Sequence, residues 1–213
     1  EKTMTTSAMT GRQIERAVEI FRAQLRKHAS GLPSDAVQKV FGQTEFGKEL
    51  VAVLLKRVEA LLVLAPRGSE EIILTKQHDP NAFYQDHTGL YVWGDFRTRI
   101  VANAQPSEVG TKFKVDVAAL MQDLADVEIE GWLSKSHLFN ETQVCAIIAR
   151  LIAEQPNGEE GTLINNGCAN LFYLASSVVR VHWRAGFRFW YVYAWRRGAR
   201  GWGSGDRVFS PAN

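Results

Sequence analysis

Residues 178–202 read VVRVHWRAGFRFWYVYAWRRGARGW, and the way bulky and basic side chains alternate in them decides the fold class. Residues 178–183 and 187–196 are two β-type runs, rich in β-branched and aromatic residues and joined by a short turn containing Gly186. The glycine-rich RRGARGWGSGD that follows has the composition of a hairpin connection, and a short return strand is expected at 207–210, giving an antiparallel β-meander. Along the run from Phe187, a period of two puts Phe187, Phe189, Tyr191, Tyr193 and Trp195 on one face. Arg188, Trp190, Val192, Ala194 and Arg196 fall on the other. The aromatic row is expected to face a core, with arginines snorkelling at the ends of the opposite face. Trp190 would then stand exposed among Arg184, Arg188 and Arg196.

Working back from this meander, Asn140 and Gln143 form a capping box ahead of Val144, Ile147, Ile148, Leu151 and Ile152, which recur at helical spacing until Pro156-Asn157-Gly158. Asn166-Gly167 reads as a turn into LFYL. Residues 72–75 (IILT), 89–93 (GLYVW) and 112–117 (KFKVDV) are short strand-like runs, and residues 118–133 are acidic and helix-favouring. Before them lie three helical patterns. Thr10 and Gln13 cap one that carries Ile14, Ala17, Val18, Phe21 and Leu25 as far as Gly31 and Pro33. Ser34 starts a second through Phe41, and Thr44 with Glu45 starts a third that runs to about Val63. Their apolar stripes need a partner surface, which predicts a three-helix module at 10–64. Residues 65–70, APRGSE, have turn composition and read as a protease-sensitive linker to an α+β domain at 71–213. The expected fold is thus α+β: a helical head followed by a mixed domain ending in the meander.

Charge is distributed unevenly along the chain. From residue 175 onward there are seven arginines and a single acid, Asp206, whereas 115–160 hold nine acids against Lys135 and Arg150. The net charge of +2 over 213 residues conceals two opposed fields. A 46% hydrophobic composition is that of a chain with a core, and no apolar run approaches the roughly 20 residues of a membrane span, so no membrane association is expected. The opening EKTMTTSAMTG has no apolar stretch of the kind a secretory signal needs. Met4 reads as the natural start and the setting as cytoplasmic. Two cysteines, Cys145 and Cys168, make no disulfide framework and match no zinc spacing; reduced thiols are the simpler expectation, with a single bridge left open.

Three stretches are similar to the C-terminal parts of uncharacterised bacterial hypothetical proteins from small, symbiont-like genomes: HLFNETQVCAIIARLIAEQ at 137–155, NNGCANLFYL at 165–174 and GWGSGDRVFS at 201–210. TGRQIERAVEIFRAQLRKHASGLPSDAV at 10–37 resembles an N-terminal module that is joined, in similar proteins, to unrelated C-terminal parts. The resemblance implies modularity, a helical head that pairs with different bodies in the manner of an adaptor. It assigns no activity, cofactor or site residue.

Exposed indoles beside guanidinium groups suit single-stranded nucleic acid, through base stacking and phosphate contacts, and suit a protein interface equally. The candidate binding surface is therefore Arg184, Arg188, Trp190, Arg196, Arg197, Arg200 and Trp202, and its partner a protein or a single-stranded nucleic acid. No cofactor is expected, since no GxxxxGK[ST] loop occurs. A second reading is a small metal-dependent or hydrolytic enzyme centred on His78, Asp79, Asp86 and His87, whose residue types ligate divalent metals but whose spacing matches no metal motif. Cys168, with His182 downstream, or Cys145 in its helix could supply a nucleophile, yet no oxyanion-forming glycine turn accompanies either. A homo-oligomer that pairs acidic 116–160 with the basic end is a third reading.

Overall fold

Helix α7 (Glu141–Glu154) organises the body of the protein. The capping box read from sequence closes its first turn: the Gln143 amide donates to Asn140 Oδ1 at 2.9 Å, and the Asn140 amide to Gln143 Oε1 at 3.0 Å. Its buried residues Val144, Ile147, Ile148, Leu151 and Ile152 each gain roughly 1.5–3 kcal/mol from leaving water, an upper bound given a compact unfolded chain. They lie against one face of a seven-stranded mixed sheet, in one cluster with Phe172, Val179, Val181, Trp183, Trp190, Val192, Ala194 and Phe209.

The computed structural model describes residues 9–28, 31, 33–43, 45–59 and 61–212, and the chain divides into two units, Glu1–Leu61 and Leu62–Asn213. In the first, α1 (Gly11–His28), α2 (Ser34–Phe41) and α3 (Phe46–Glu59) follow the three sequence patterns, although α3 stops short of Val63. The Thr10 and Gln13 capping box is present, with the Thr10 amide donating to Gln13 Oε1 at 2.8 Å, while the Thr44 start of the third helix lies outside the described residues. The apolar stripes do not bury one another. Ile14, Val18, Leu50, Val51, Leu54 and Val58 are all exposed, while Phe41 of α2 meets Phe46 of α3 with ring centroids 5.6 Å apart.

The second unit holds β1 (Leu64–Ile73), α4 (Pro80–Phe83), β2 (Leu90–Val92), α5 (Gly94–Arg99), a 3-10 turn at Val101–Asn103, β3 (Lys112–Leu120), β4 (Leu124–Ala125) and α6 (Asp126–Glu130), then α7. After α7 come β5 (Asn170–Tyr173), β6 (Ser177–Arg184), β7 (Phe189–Arg196), β8 (Gly201–Trp202) and β9 (Arg207–Pro211). The main sheet runs β1-β3-β9-β5-β6-β7-β2, and β4 pairs with β8 separately. The α+β class expected from sequence is the one observed.

Several expectations are corrected here. Residues 65–70 are no linker; they lie within β1, an edge strand, where Pro66 and Gly68 are accommodated by a register shift and by Gly68 at φ 121°. Turn-forming composition is compatible with an edge strand at a bulge, so the division falls earlier, after Leu61. The acidic stretch 118–133 is only briefly helical, because Ala118–Leu120 complete β3 and α6 covers five residues. β6 and β7 form the antiparallel hairpin as read, but β9 does not return beside β7. It inserts between β3 and β5, antiparallel to the first and parallel to the second.

Candidate functional site

The β6–β7 hairpin sorts its side chains by cross-strand register. Val179 faces Ala194, Val181 faces Val192 and Trp183 faces Trp190; these are the side chains buried beneath α7. On the opposite face Arg180 pairs with Tyr193, His182 with Tyr191, and Arg184 with Phe189. This second face of the sheet is covered over only part of its width. There α6 and the β4–β8 pair cap Leu171, Tyr173, Val178 and Val208 with Ile129 and Trp202. Past the cap the face is open.

The open part is an aromatic field. Along β7 the ring centroids of Phe187, Phe189, Tyr191, Tyr193 and Trp195 follow one another at 5.7, 4.8, 5.7 and 6.2 Å. From β2, which pairs parallel with β7, Tyr91 packs on Tyr191 at 5.0 Å, and Trp93, just after the strand, stacks on Tyr193 at 5.1 Å. His182 stacks on Tyr193 at 5.6 Å. Phe187 is 59% exposed, Trp93 46% and Tyr91 38%, so the patch is a genuine surface of apolar area, of the kind that marks interaction sites.

Guanidinium groups are interleaved with the rings. Arg184 lies over Phe187 and Tyr191, at 5.4 and 5.3 Å from their centroids, and Arg200 lies over Trp195 at 3.8 Å. Arg180 projects beside Tyr193 and Trp195 with its buried Nε unpartnered. None of the three makes an ion pair among the described residues. Their positive charge acts on His182 as well: burial, then Arg180 and Arg184, push its pKa down to about 4, so the ring is neutral at physiological pH. Its buried Nδ1 has no hydrogen-bond partner.

The structure thus inverts the surface expected from sequence. Trp190 is 1% exposed, its indole donating to the Gln155 carbonyl at 3.2 Å, and Trp202 is buried in the cap, donating to Asp126. The odd-numbered row expected as core is the part-exposed one, because α7 takes the other face. Arg197 is also not available: its guanidinium grips Glu130 through two hydrogen bonds and donates to the Ala175 carbonyl at 3.0 Å, tying the cap to the sheet. Asp126 completes that anchorage, accepting from the Gly198 amide at 2.8 Å and from Tyr173 Oη at 3.2 Å. Arg184 and Arg200 do belong to the open face. Arg188 sits in the β6–β7 turn at φ 55°, and Arg196 ends β7 exposed.

The binding surface expected from sequence left out Arg180, His182, Tyr91 and Trp93. The signal for the first two was present in β6: Val179, Val181 and Trp183 alternate with Arg180, His182 and Arg184. That alternation names the wet face of the hairpin, and β7 must share it.

The four residues of the proposed metal loop are each occupied elsewhere. His78 is buried against Phe83 and Tyr84, with its pKa lowered by burial. Asp79 caps α4, accepting from the Asn81 amide at 2.9 Å, and Asp86 pairs with Arg97 at 2.7 Å and accepts from the Val92 amide at 3.0 Å. His87 Nδ1 lies 2.9 Å from the Thr88 carbonyl. Among the described residues no three His, Cys, Asp or Glu side chains come together as a metal cage. Cys145 is buried in α7 with its thiol pKa pushed far up by burial, Cys168 is half-buried with its pKa raised by burial and Asp206, and both thiols are free. No described helix is long and apolar enough to cross a membrane.

No family model matches the chain, and no curated protein or solved structure is significantly similar to it.

Proposed function

We propose that the open face of β6, β7 and β2 binds single-stranded nucleic acid. The observation that carries this reading is the interleaving of stacked, part-exposed rings with Arg180, Arg184 and Arg200, guanidiniums that have no carboxylate partner among the described residues. A ligand that satisfies such a face must offer flat π-surfaces and negative charge at short intervals, and an unpaired strand offers both. A protein partner fits the aromatic area but leaves the arginines to be matched by acids one at a time. A cytosolic setting, in which free thiols stay reduced, belongs to the same proposal.

The test is fluorescence anisotropy with a single-stranded oligonucleotide across a salt series. Affinity is expected to fall at least tenfold between 50 and 200 mM salt, as counterion release from several phosphates requires. Tyr191→Ala should weaken binding by about 5- to 150-fold, corresponding to the roughly 1–3 kcal/mol of one stacked base. Absence of binding at 50 mM salt would reassign the face to a protein partner or a second copy of the chain.

A further inference from the structure

The aromatic track has two unlike ends. At Phe187 it runs out over the exposed β6–β7 turn. At Trp195 it meets the flank of the cap, where β8 is fixed by pairing Trp202 with Leu124 and Gly201 with Ala125. The step between platform and cap is a cleft of about 240 Å³ lined by Arg180, Trp195, Arg200, Trp202, Gly203 and Asp206. By volume it holds about eight waters, room for a small polar group and its hydration.

Its chemistry is that of an anion site. Arg180 enters from β6 with its buried Nε unpartnered, and Arg200 enters from the loop before β8, held over Trp195. The one carboxylate in the lining, Asp206, is turned into the backbone: Oδ1 accepts from the Ala169 amide at 2.7 Å and Oδ2 from the Gly203 amide at 2.9 Å. It thereby shapes the Gly203–Asp206 turn. Asp126, behind the cleft, is likewise taken up by the Trp202 indole and the Gly198 and Arg200 amides, so neither carboxylate pairs with the two guanidiniums, which keep their donors for an anion.

We infer that this cleft is a subsite for the phosphomonoester at the end of a single strand lying on the platform. The inference rests on the nucleic-acid reading and adds to it a direction and an end preference. A strand running along β7 toward Trp195 meets the cap there, which places its terminal group at the cleft. A terminal phosphomonoester carries close to two negative charges at neutral pH, against one for each internal diester, and planar guanidiniums match its oxygens in paired hydrogen bonds. Arg184, farther along the track, meets only diesters.

The experiment uses three fluorescent 12-nucleotide strands of one sequence, ending in a 5′-phosphate, a 3′-phosphate or hydroxyls alone, titrated with wild type, Arg180→Gln and Arg200→Gln at constant salt. Wild type is expected to bind one phosphorylated form at least tenfold more tightly than the hydroxyl-ended strand. In both variants that ratio should drop to about one, whatever happens to overall affinity, and thermal melting checks that each is folded. Arg200 is exposed in a loop, so Arg200→Gln carries the test should Arg180→Gln prove unstable. Inorganic phosphate at millimolar concentration should erase the preference without displacing the hydroxyl-ended strand. Equal affinity for all three strands in wild type, or a ratio preserved in Arg200→Gln, overturns the subsite while leaving the platform standing. Failure of every strand to bind overturns both.

Discussion

Trp190→Ala measures which face of β7 is core. The indole is 1% exposed, packs on Trp183 at 5.4 Å and donates to the Gln155 carbonyl at 3.2 Å. Truncating a buried aromatic to alanine costs about 3–5 kcal/mol through lost burial and a residual cavity, and stranding the Gln155 carbonyl adds about 1 kcal/mol. For a body of this size each kcal/mol lowers Tm by roughly 2–4 °C, so a drop on the order of 10–20 °C is expected. The comparison variant is Tyr91→Ala, on the open face and 38% exposed, where the loss is three part-exposed ring contacts, with Trp93, Phe189 and Tyr191, and about 1–2 kcal/mol. Urea unfolding followed by far-UV circular dichroism avoids dependence on the tryptophan being removed. A Trp190→Ala cost below about 1 kcal/mol, or a Tyr91→Ala cost equal to it, would mean that the faces are assigned the wrong way round.

Protonation of His182 should be visible in the pH dependence of stability. Its folded pKa of about 4 lies below the unfolded value of about 6.5, so in that interval the unfolded chain holds a proton the folded chain does not, and acidification favours unfolding. Between pH 7.5 and 4.5 wild type should lose about 2–3 kcal/mol more than His182→Phe in urea titrations; equal losses would show that the ring is not held neutral. Brief trypsin treatment should cut in α3 at Lys56 or Arg57, which are exposed, and leave the body intact. Arg67 is expected to resist, since β1 is hydrogen-bonded along β3, and a stable fragment beginning at Gly68 would contradict the placement of β1 in the sheet.

Local signals were legible where one short-range interaction decides the outcome. The Asn140 and Gln143 capping box fixed the start of α7, and the alternation in 178–196 gave the β6–β7 hairpin. The α+β class follows from these together with the strand-like runs at 72–75, 89–93 and 112–117 and the helical patterns before them. What was not legible depended on distant partners. Both faces of β7 carry bulk, and nothing within that strand says which one α7 will cover. Trp202 and Arg197 read as surface groups because Asp126 and Glu130, which hold them, lie some seventy residues earlier. Pro66 and Gly68 punctuate the text as a linker does, and only the edge position of β1 makes them tolerable in a strand.

The insertion of β9 between β3 and β5 sets the order in which the protein can be made. In strand pairing, β1 and β3 are joined to β5, β6, β7 and β2 through β9, Arg207–Pro211. Until those residues emerge from the ribosome the two halves have no shared strand, and β3 and β5 each present an unpaired edge open to mispairing. Completion of the sheet is then a long-range event, slow in the way of topologies dominated by non-local strand pairing. The cap that bounds the aromatic platform is itself assembled late, since β8, in the loop between β7 and β9, has to reach back to pair with β4.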